Sequence, residues 1–269
     1  HRAMTDPRPP IACSTISVFS KPLDDAFPLI AETGFDGIEL MVTSDPDTQD
    51  AGRVRALSED HALPVLAVHA PFLLMARRVW GREPVGKIDR AVELALGVGA
   101  PLVVVHPPYR WQTAYRSWVD ERLSAVAAER GVRIAVENMF PLRVRGRSIA
   151  RFHARQSLED LEGFPDVTLD TSHLAVAGLD PVETLSRLGD RLAHVHLSNN
   201  AGKGWDSHLP LDQRVLDLGR FLEALATRGF EGAISLEIDL RSHLDDEQAL
   251  RRILSRNREL CESGLALRA

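Results

Sequence analysis

The sequence lacks several features that would assign it to a broad class of protein. No apolar run approaches the ~20 residues that a membrane-spanning helix needs. The N-terminus shows no charged-then-apolar signal pattern, and we expect His1–Ala3, ahead of Met4, to be a tag remnant. Only two cysteines occur, at positions 13 and 261, so a disulfide framework is excluded and a reducing, cytoplasmic setting is expected.

A basic excess is also missing. The net charge of −6 argues against broad nucleic-acid binding, which normally requires clustered positive charge. What the chain does have is length and apolar content: 269 residues, 44% hydrophobic and 26% charged. These values suit one large α/β domain. We predict a lead-in over residues 1–10, with the tag remnant, and a single domain over 11–269.

Eight apolar segments alternate with helical segments at a spacing of about thirty residues. Strands that are apolar throughout and joined by helices indicate a parallel sheet. The fold class predicted is therefore α/β, a (β/α)₈ TIM barrel; an open doubly wound sheet is the lesser alternative, because no dinucleotide fingerprint follows the first strand. The predicted strands are Ile11–Val18, Gly37–Met41, Pro64–His69, Leu102–His106, Val132–Glu137, Val167–Asp170, Leu192–Leu197 and Ala233–Glu237.

The predicted helices include one over Ser117–Arg130 and one over Val215–Thr227, and the basic segment Pro141–Arg155 is expected to be irregular. Most predicted strands end at, or just before, a histidine or carboxylate. In a barrel the carboxyl ends of all strands meet at one mouth, where the chemistry sits. The polar residues expected there are Glu39, His69, His106, Glu137, Asp170, His173, His196, Asp206, His208 and Glu237.

Each of these residues has an ordinary structural interpretation. Asp170 suits the N-cap of a following helix, and a lone histidine is more often a hydrogen-bonded core group. His194 shares the face of His196 but lies deeper, so we expect it to be buried and hydrogen-bonded. Together, however, the carboxylates and histidines would repel one another and lose hydration unless a cation binds among them. The cluster therefore predicts a site for a zinc- or manganese-class divalent metal.

Several motifs resemble the xylose isomerase-like barrels. They are Asp-Thr-Ser-His at 170–173, His-Leu-Ser-Asn-Asn at 196–200 and Asp-Ser-His-Leu-Pro at 206–210, with Glu137 and Glu237 at strand ends. This superfamily contains sugar and sugar-phosphate isomerases and epimerases, inosose-type dehydratases and the endonuclease IV group, and the resemblance spans about 11–260. It implies one divalent metal, Mn²⁺ or Zn²⁺, held by Glu137, Asp170, His196 and Glu237. In the endonuclease IV group three zinc ions use these positions together with those of His69, His106, His173, Asp206 and His208.

The resemblance implies two alternative activities. The first is a metal-dependent isomerase or epimerase that moves a proton through an enediolate of a small sugar or sugar-phosphate-like polyhydroxy carbonyl compound, with Glu137 and Glu237 as catalytic residues. The substrate contacts predicted for it are His173, His69, His106, Glu39, Trp111 and Arg143. The second is an endonuclease IV-like phosphodiesterase acting on DNA or a smaller phosphate ester, supported by five arginines between positions 143 and 155.

Three departures weaken the endonuclease interpretation: Phe72 replaces a usual tyrosine, Pro107-Pro108 a Pro-Gly, and Met139-Phe140-Pro141 a small-residue turn. A barrel that binds metal and ligand without turnover is a third alternative. The partner expected is a small polyhydroxy or phosphorylated molecule. Nucleic acid is disfavoured, a membrane is not expected, and a homodimer is left open.

Overall fold

A computed structural model describes residues 8–72, 79–144, 147–155, 157–213 and 215–266, without the side chains of 142–149. Its strands are β1 Ile11–Ser14, β2 Gly37–Met41, β3 Val65–His69, β4 Leu102–Val105, β5 Arg133–Glu137, β6 Leu142–Val144, β7 Arg147–Ala150, β8 Val167–Asp170, β9 Leu192–Leu197 and β10 Ala233–Leu236. All except β6 and β7 close into a barrel in the order β1-β10-β9-β8-β5-β4-β3-β2, and every neighbouring pair is parallel. The predicted (β/α)₈ barrel is confirmed.

Helices surround this barrel and bury their apolar faces against the outward side chains of the strands. Their bounds are α1 Leu23–Glu32, α2 Ala51–Asp60, α3 Pro84–Val98, α4 Thr113–Glu121, α5 Leu123–Arg130, α6 Leu158–Leu161, α7 Thr171–Ala177, α8 Pro181–Leu188, α9 Leu218–Arg228 and α10 Glu247–Leu265. Within the described ranges, no helix is both long and apolar enough to cross a membrane.

The barrel interior is divided by polarity. On β3, β4 and β5 the inward positions below the mouth carry small or apolar side chains, namely Ala67, Val104 and Ala135. On the remaining strands the corresponding positions carry buried polar groups: Ser14, Glu39, Thr168, His194 and Ser235. The half of the barrel interior formed by these strands is therefore lined with polar side chains, which can contact a buried charged group.

The first strand is shorter than predicted. It ends at Ser14, and Thr15–Val18 forms a 3₁₀ turn. The hydroxyl of Thr15 accepts a hydrogen bond from the Met41 amide at 2.9 Å, and the Ser17 hydroxyl accepts one from the Ile238 amide at 3.0 Å. Short hydroxyl side chains that bond the main chain in this way compete with strand pairing, which the apolar pattern does not reveal.

Three other predictions of secondary structure were wrong. The predicted helix over Ser117–Arg130 is two helices, α4 and α5, that meet at Arg122. The segment predicted to be irregular contains the antiparallel hairpin β6–β7. The helix predicted from Val215 begins at Leu218, because the Asp217 side chain caps it by accepting a hydrogen bond from the Arg220 amide at 3.2 Å.

Candidate metal centre

Four side chains from neighbouring strands converge at the mouth of the barrel. Glu137 and Asp170 are the last residues of β5 and β8, and Glu237 directly follows β10. His196, on β9, pairs with Asp170 of β8 on one side and with Ser235 of β10 on the other. β9 therefore lies between the strands that lead to Asp170 and Glu237. Parallel register therefore brings residues that are far apart in sequence to one point.

The distances within this group are those expected of ligands that share one ion. His196 Nδ1 lies 3.4 Å from Glu137 Oε1, 3.1 Å from Glu237 Oε2 and 3.8 Å from Asp170 Oδ2. Three of these buried atoms, His196 Nδ1, Asp170 Oδ2 and Glu237 Oε2, have no hydrogen-bond partner. Since unpartnered buried groups are costly, and since two or more carboxylates with an imidazole suit Zn²⁺ or Mn²⁺, these four residues fit a divalent cation.

The sequence suggested two roles for Asp170, an N-cap of the following helix and a metal ligand, and its two carboxylate oxygens are placed for one role each. Oδ1 caps α7 by accepting a hydrogen bond from the His173 amide at 2.8 Å, whereas Oδ2 faces the centre. Asn138 holds the strand end in place: its Oδ1 accepts from the Asp170 amide at 2.6 Å, and its Nδ2 donates to the Asp170 carbonyl at 3.2 Å. The sequence analysis did not single out Asn138 as a site residue, although its position directly after Glu137 was a signal.

Two further histidines contact Oε2, the other carboxylate oxygen of Glu137. His106 Nε2 is 3.1 Å and His69 Nε2 3.4 Å from Glu137 Oε2. The outer nitrogen of His69, Nδ1, donates to the Ala70 carbonyl at 2.9 Å, so Nε2 is the nitrogen that faces Glu137 and that a metal would bind. The two oxygens of Glu137 therefore face two different groups of histidines.

A third group surrounds Asp206, in the loop after β9. His208 Nε2 lies 2.6 Å and His173 Nε2 3.2 Å from Asp206 Oδ2. Nδ1 of each ring donates to a main-chain carbonyl, that of Asn138 for His173 at 2.7 Å and that of Glu237 for His208 at 3.1 Å. Despite burial, Asp170 and Asp206 raise the pKa of both rings, so each ring can donate from both nitrogens, and hydrogen bonding within the chain satisfies this group.

The electrostatic environment separates the two glutamates. Burial alone would raise the pKa of Glu137, but its close contacts with the His106 and His196 rings hold the pKa of its carboxyl well below the usual value. Burial raises the pKa of Glu237 above the usual value, and neighbouring carboxylates add to the rise. Environments that push two such pKa values apart are typical of a base paired with a proton carrier.

Trp111, predicted as a substrate contact, lies on the loop after β4 and is 62% exposed. Its ring stacks on Tyr109 with centroids 4.7 Å apart, and Tyr109 stacks on His153 at 4.4 Å. The His153 ring in turn meets the His106 ring edge-on at 6.4 Å. A continuous column of rings thus connects the exposed indole of Trp111 with His106 at the mouth of the barrel.

The remaining predicted contacts fall in different surroundings. The Arg143 side chain lies outside the described side chains. Arg155, from the same basic segment, makes a two-point contact with Asp120 at 2.7 and 3.1 Å. Glu39 lies two residues before the end of β2 and is fully buried, with His194 and His196 as neighbours. Its predicted contact with substrate has no direct support in this position.

Comparisons with known proteins agree on the architecture. A family model described as xylose isomerase-like TIM barrel matches residues 27–260. An uncharacterized protein of Mycobacterium tuberculosis is 38% identical over 250 residues, which are 86% of this chain and 89% of that protein. Among solved structures, a D-tagatose 3-epimerase-like protein superposes with a TM-score of 0.70 at 22% identity, covering 96% of this chain and 100% of the other. An AP endonuclease, family 2, from Brucella melitensis gives 0.67 at 19% identity, covering 87% and 94%. At these identities the two structures support the fold alone.

Proposed function

The chain belongs to the xylose isomerase-like TIM barrel family, and from this premise we propose that it is a divalent-metal-dependent isomerase or epimerase of a small sugar or sugar-phosphate-like compound. One observation carries the proposal: Asp170 Oδ2, His196 Nδ1 and Glu237 Oε2 are buried, unpartnered and grouped beside Glu137. Such a group fits one cation, and it places the carboxylates of Glu137 and Glu237 where they could act on a bound substrate.

In the proposed reaction Glu137 and Glu237 exchange protons with the carbon next to the substrate carbonyl. A bound Mn²⁺ or Zn²⁺ supplies Lewis acidity toward the carbonyl and the adjacent hydroxyl. Glu137, whose pKa is low, is ionised and accepts the proton, and Glu237, whose pKa is raised, returns one. Their strands are separated by β8 and β9, so the carboxylates approach from different sides of the mouth. That separation suits epimerisation, in which a proton leaves one face and arrives at the other.

Other rim residues would bind the substrate. His173 would donate to a hydroxyl, with His69 and His106 beside it, and Arg143 would contact a phosphate where one is present. Phe140, whose ring centroid is 4.7 Å from that of His173, and the exposed face of Trp111 would supply apolar surface for a sugar ring.

A multi-zinc phosphodiesterase is the second candidate. It is favoured by two further groups that contain the ligand types of additional zinc sites: His69 and His106 with Glu137, and His173 and His208 with Asp170, beside Asp206. It ranks second because hydrogen bonds within the chain satisfy the Asp206 group, and because Arg155 is already paired with Asp120.

The proposal is tested by exchange of substrate protons with solvent. We expect the metal-loaded chain in D₂O to replace the proton beside the carbonyl of at least one member of a panel of ketoses and ketose phosphates, as followed by NMR. Asp170→Asn should abolish the exchange. In parallel, bis(p-nitrophenyl) phosphate and a duplex with an abasic site test hydrolysis. Cleavage without exchange would replace the proposal by the second candidate. The absence of both exchange and cleavage would contradict the proposal.

A further inference from the structure

A buried carboxylate lies directly beneath the metal centre, and the proposed reaction does not use it. Glu39 is 0% exposed and belongs to β2, far in sequence from its two partners on β9. Its Oε2 accepts hydrogen bonds from His194 Nε2 at 2.5 Å and from His196 Nε2 at 3.1 Å. His194 and His196 are themselves at most 1% exposed, so the three side chains form a closed contact inside the barrel.

This contact determines which nitrogen of His196 faces the centre. An ionised carboxylate can accept hydrogen bonds but has no proton to donate. The proton in the contact between Glu39 and His196 therefore lies on His196 Nε2. In the neutral form of the ring, which is the form that binds a metal, Nδ1 then carries the lone pair, and it is Nδ1 that lies 3.1 Å from Glu237 Oε2. The partner of the outer nitrogen fixes the tautomer and the ring orientation of a metal-binding histidine.

His196 differs from three other histidines of the centre in the group that accepts the hydrogen bond of its outer nitrogen, the ring nitrogen that points away from the centre. Main-chain carbonyls accept from the outer nitrogens of His69, His173 and His208. Among these four, only His196 has a carboxylate as the hydrogen-bond partner of its outer nitrogen; His173 Nδ1 also lies 3.3 Å from Glu137 Oε1, but its hydrogen bond is to the Asn138 carbonyl. A carboxylate makes the opposite nitrogen more basic than a neutral carbonyl does, and therefore a stronger ligand.

The surroundings of Glu39 do not resemble those of a carboxylate that serves stability. Its second oxygen, Oε1, is buried without a hydrogen-bond partner. The hydroxyls of Ser14, Thr168 and Ser235 are also buried and unpartnered, and these residues pair in register with Glu39, His194 and His196 respectively. Burying a carboxylate that is only half satisfied is unfavourable for folding, which points to a functional reason for its presence.

We propose that Glu39 and His194 form a buried relay that positions His196 as a metal ligand. The inference rests on the proposed metal-dependent function. Glu39 holds the proton of His196 on Nε2 and aims Nδ1 at the centre, and His194 holds the Glu39 carboxylate in the orientation that does so. Glu39 is then a positioning residue beneath the site instead of the substrate contact that the sequence analysis predicted.

Metal affinity provides the first test. Zn²⁺ or Mn²⁺ is titrated into the metal-stripped chain in competition with a chelating dye. Loss of a carboxylate that orients a ligand should weaken binding by roughly 10–100-fold in Glu39→Ala. Glu39→Gln keeps the shape and one acceptor oxygen, so its loss should be smaller. Asp36→Asn is the matched control: Asp36 precedes β2 at the opposite end of the barrel, where it binds Arg8 and the Ile11 amide, and its loss should leave metal affinity unchanged.

The tautomer of His196 is the second readout and does not depend on metal. In metal-free chain labelled with ¹⁵N-histidine, at a pH high enough for the His196 ring to be neutral, its single proton should lie on Nε2, and Glu39→Ala should shift it toward a mixture of tautomers. His196→Asn identifies the signal. Tight metal binding that is unchanged in both Glu39 variants, or a neutral wild-type ring whose single proton lies on Nδ1, would overturn the relay and leave the proposed function standing. A wild-type chain that binds no metal would instead remove the proposed function, and the tautomer would still show whether Glu39 orients His196.

Discussion

Replacing Glu237 by glutamine should slow turnover by roughly 10²–10⁴-fold, the range for loss of a positioned proton-transfer group. Glutamine keeps the shape of the side chain but can neither carry the proton nor supply the charge at Oε2. The metal-free variant should be at least as stable as the wild type at neutral pH. The reason is the raised pKa of Glu237: the ionised form is less favourable in the folded chain than in the unfolded one, so above its usual pKa the charge opposes folding.

Solvent-proton exchange and thermal melting in chelator measure the two parts of this expectation. Glu231→Gln is the matched control, because Glu231 is exposed and precedes the same strand, β10, at its other end. The control should retain wild-type exchange and melting. A large fall in the melting temperature of metal-free Glu237→Gln would mean that Glu237 is a structural partner of His196 and not a site residue.

Removing the divalent metal should markedly lower the melting temperature of the wild-type chain. A ligand that binds only the folded state at a hundred times its dissociation constant stabilises that state by about 2.7 kcal/mol. For a chain of this size, such a gain raises the melting temperature by about 5–10 °C. In this chain the cation would also relieve the repulsion among the buried carboxylates Glu137 and Asp170 and the partly buried Glu237.

Asp170→Asn is the variant that isolates this effect. Asparagine is as good an N-cap as aspartate, so the cap on α7 is kept while the charge at Oδ2 is lost. Calorimetry with and without Mn²⁺ or Zn²⁺ should show most of the metal-dependent shift gone in this variant. An equal shift in variant and wild type would place the ion elsewhere in the molecule.

The barrel could be predicted from the sequence because buried parallel strands leave a strong apolar signal, and because strand-end residues in a barrel must share one mouth. That argument put Glu137, Asp170, His196 and Glu237 on converging strand ends, and the structure brings them together. The breaks at Ser14 and Arg122 depend on tertiary contacts, such as the Thr15 hydroxyl on the Met41 amide, which carry no periodic signal.

Depth within the barrel was harder to infer. Glu39 and His69 both follow apolar strand residues, yet Glu39 lies under the centre and His69 at its edge. The difference follows from position along the strands: Glu39 pairs with Ala67, two residues before His69, whereas His69 pairs with the last residue of β2, Met41. No local pattern in either strand encodes that pairing, so the partner of Glu39 could only be identified in the folded chain.

Counting metal ions in the wild type and in His208→Ala tests the central claim, that one cation is held by Glu137, Asp170, His196 and Glu237. Elemental analysis of protein loaded with Zn²⁺ or Mn²⁺ and freed of excess should give about one ion per chain in both proteins, since His208 belongs to the group around Asp206. About three ions in the wild type, falling to about two in His208→Ala, would contradict the account and establish a multinuclear site instead.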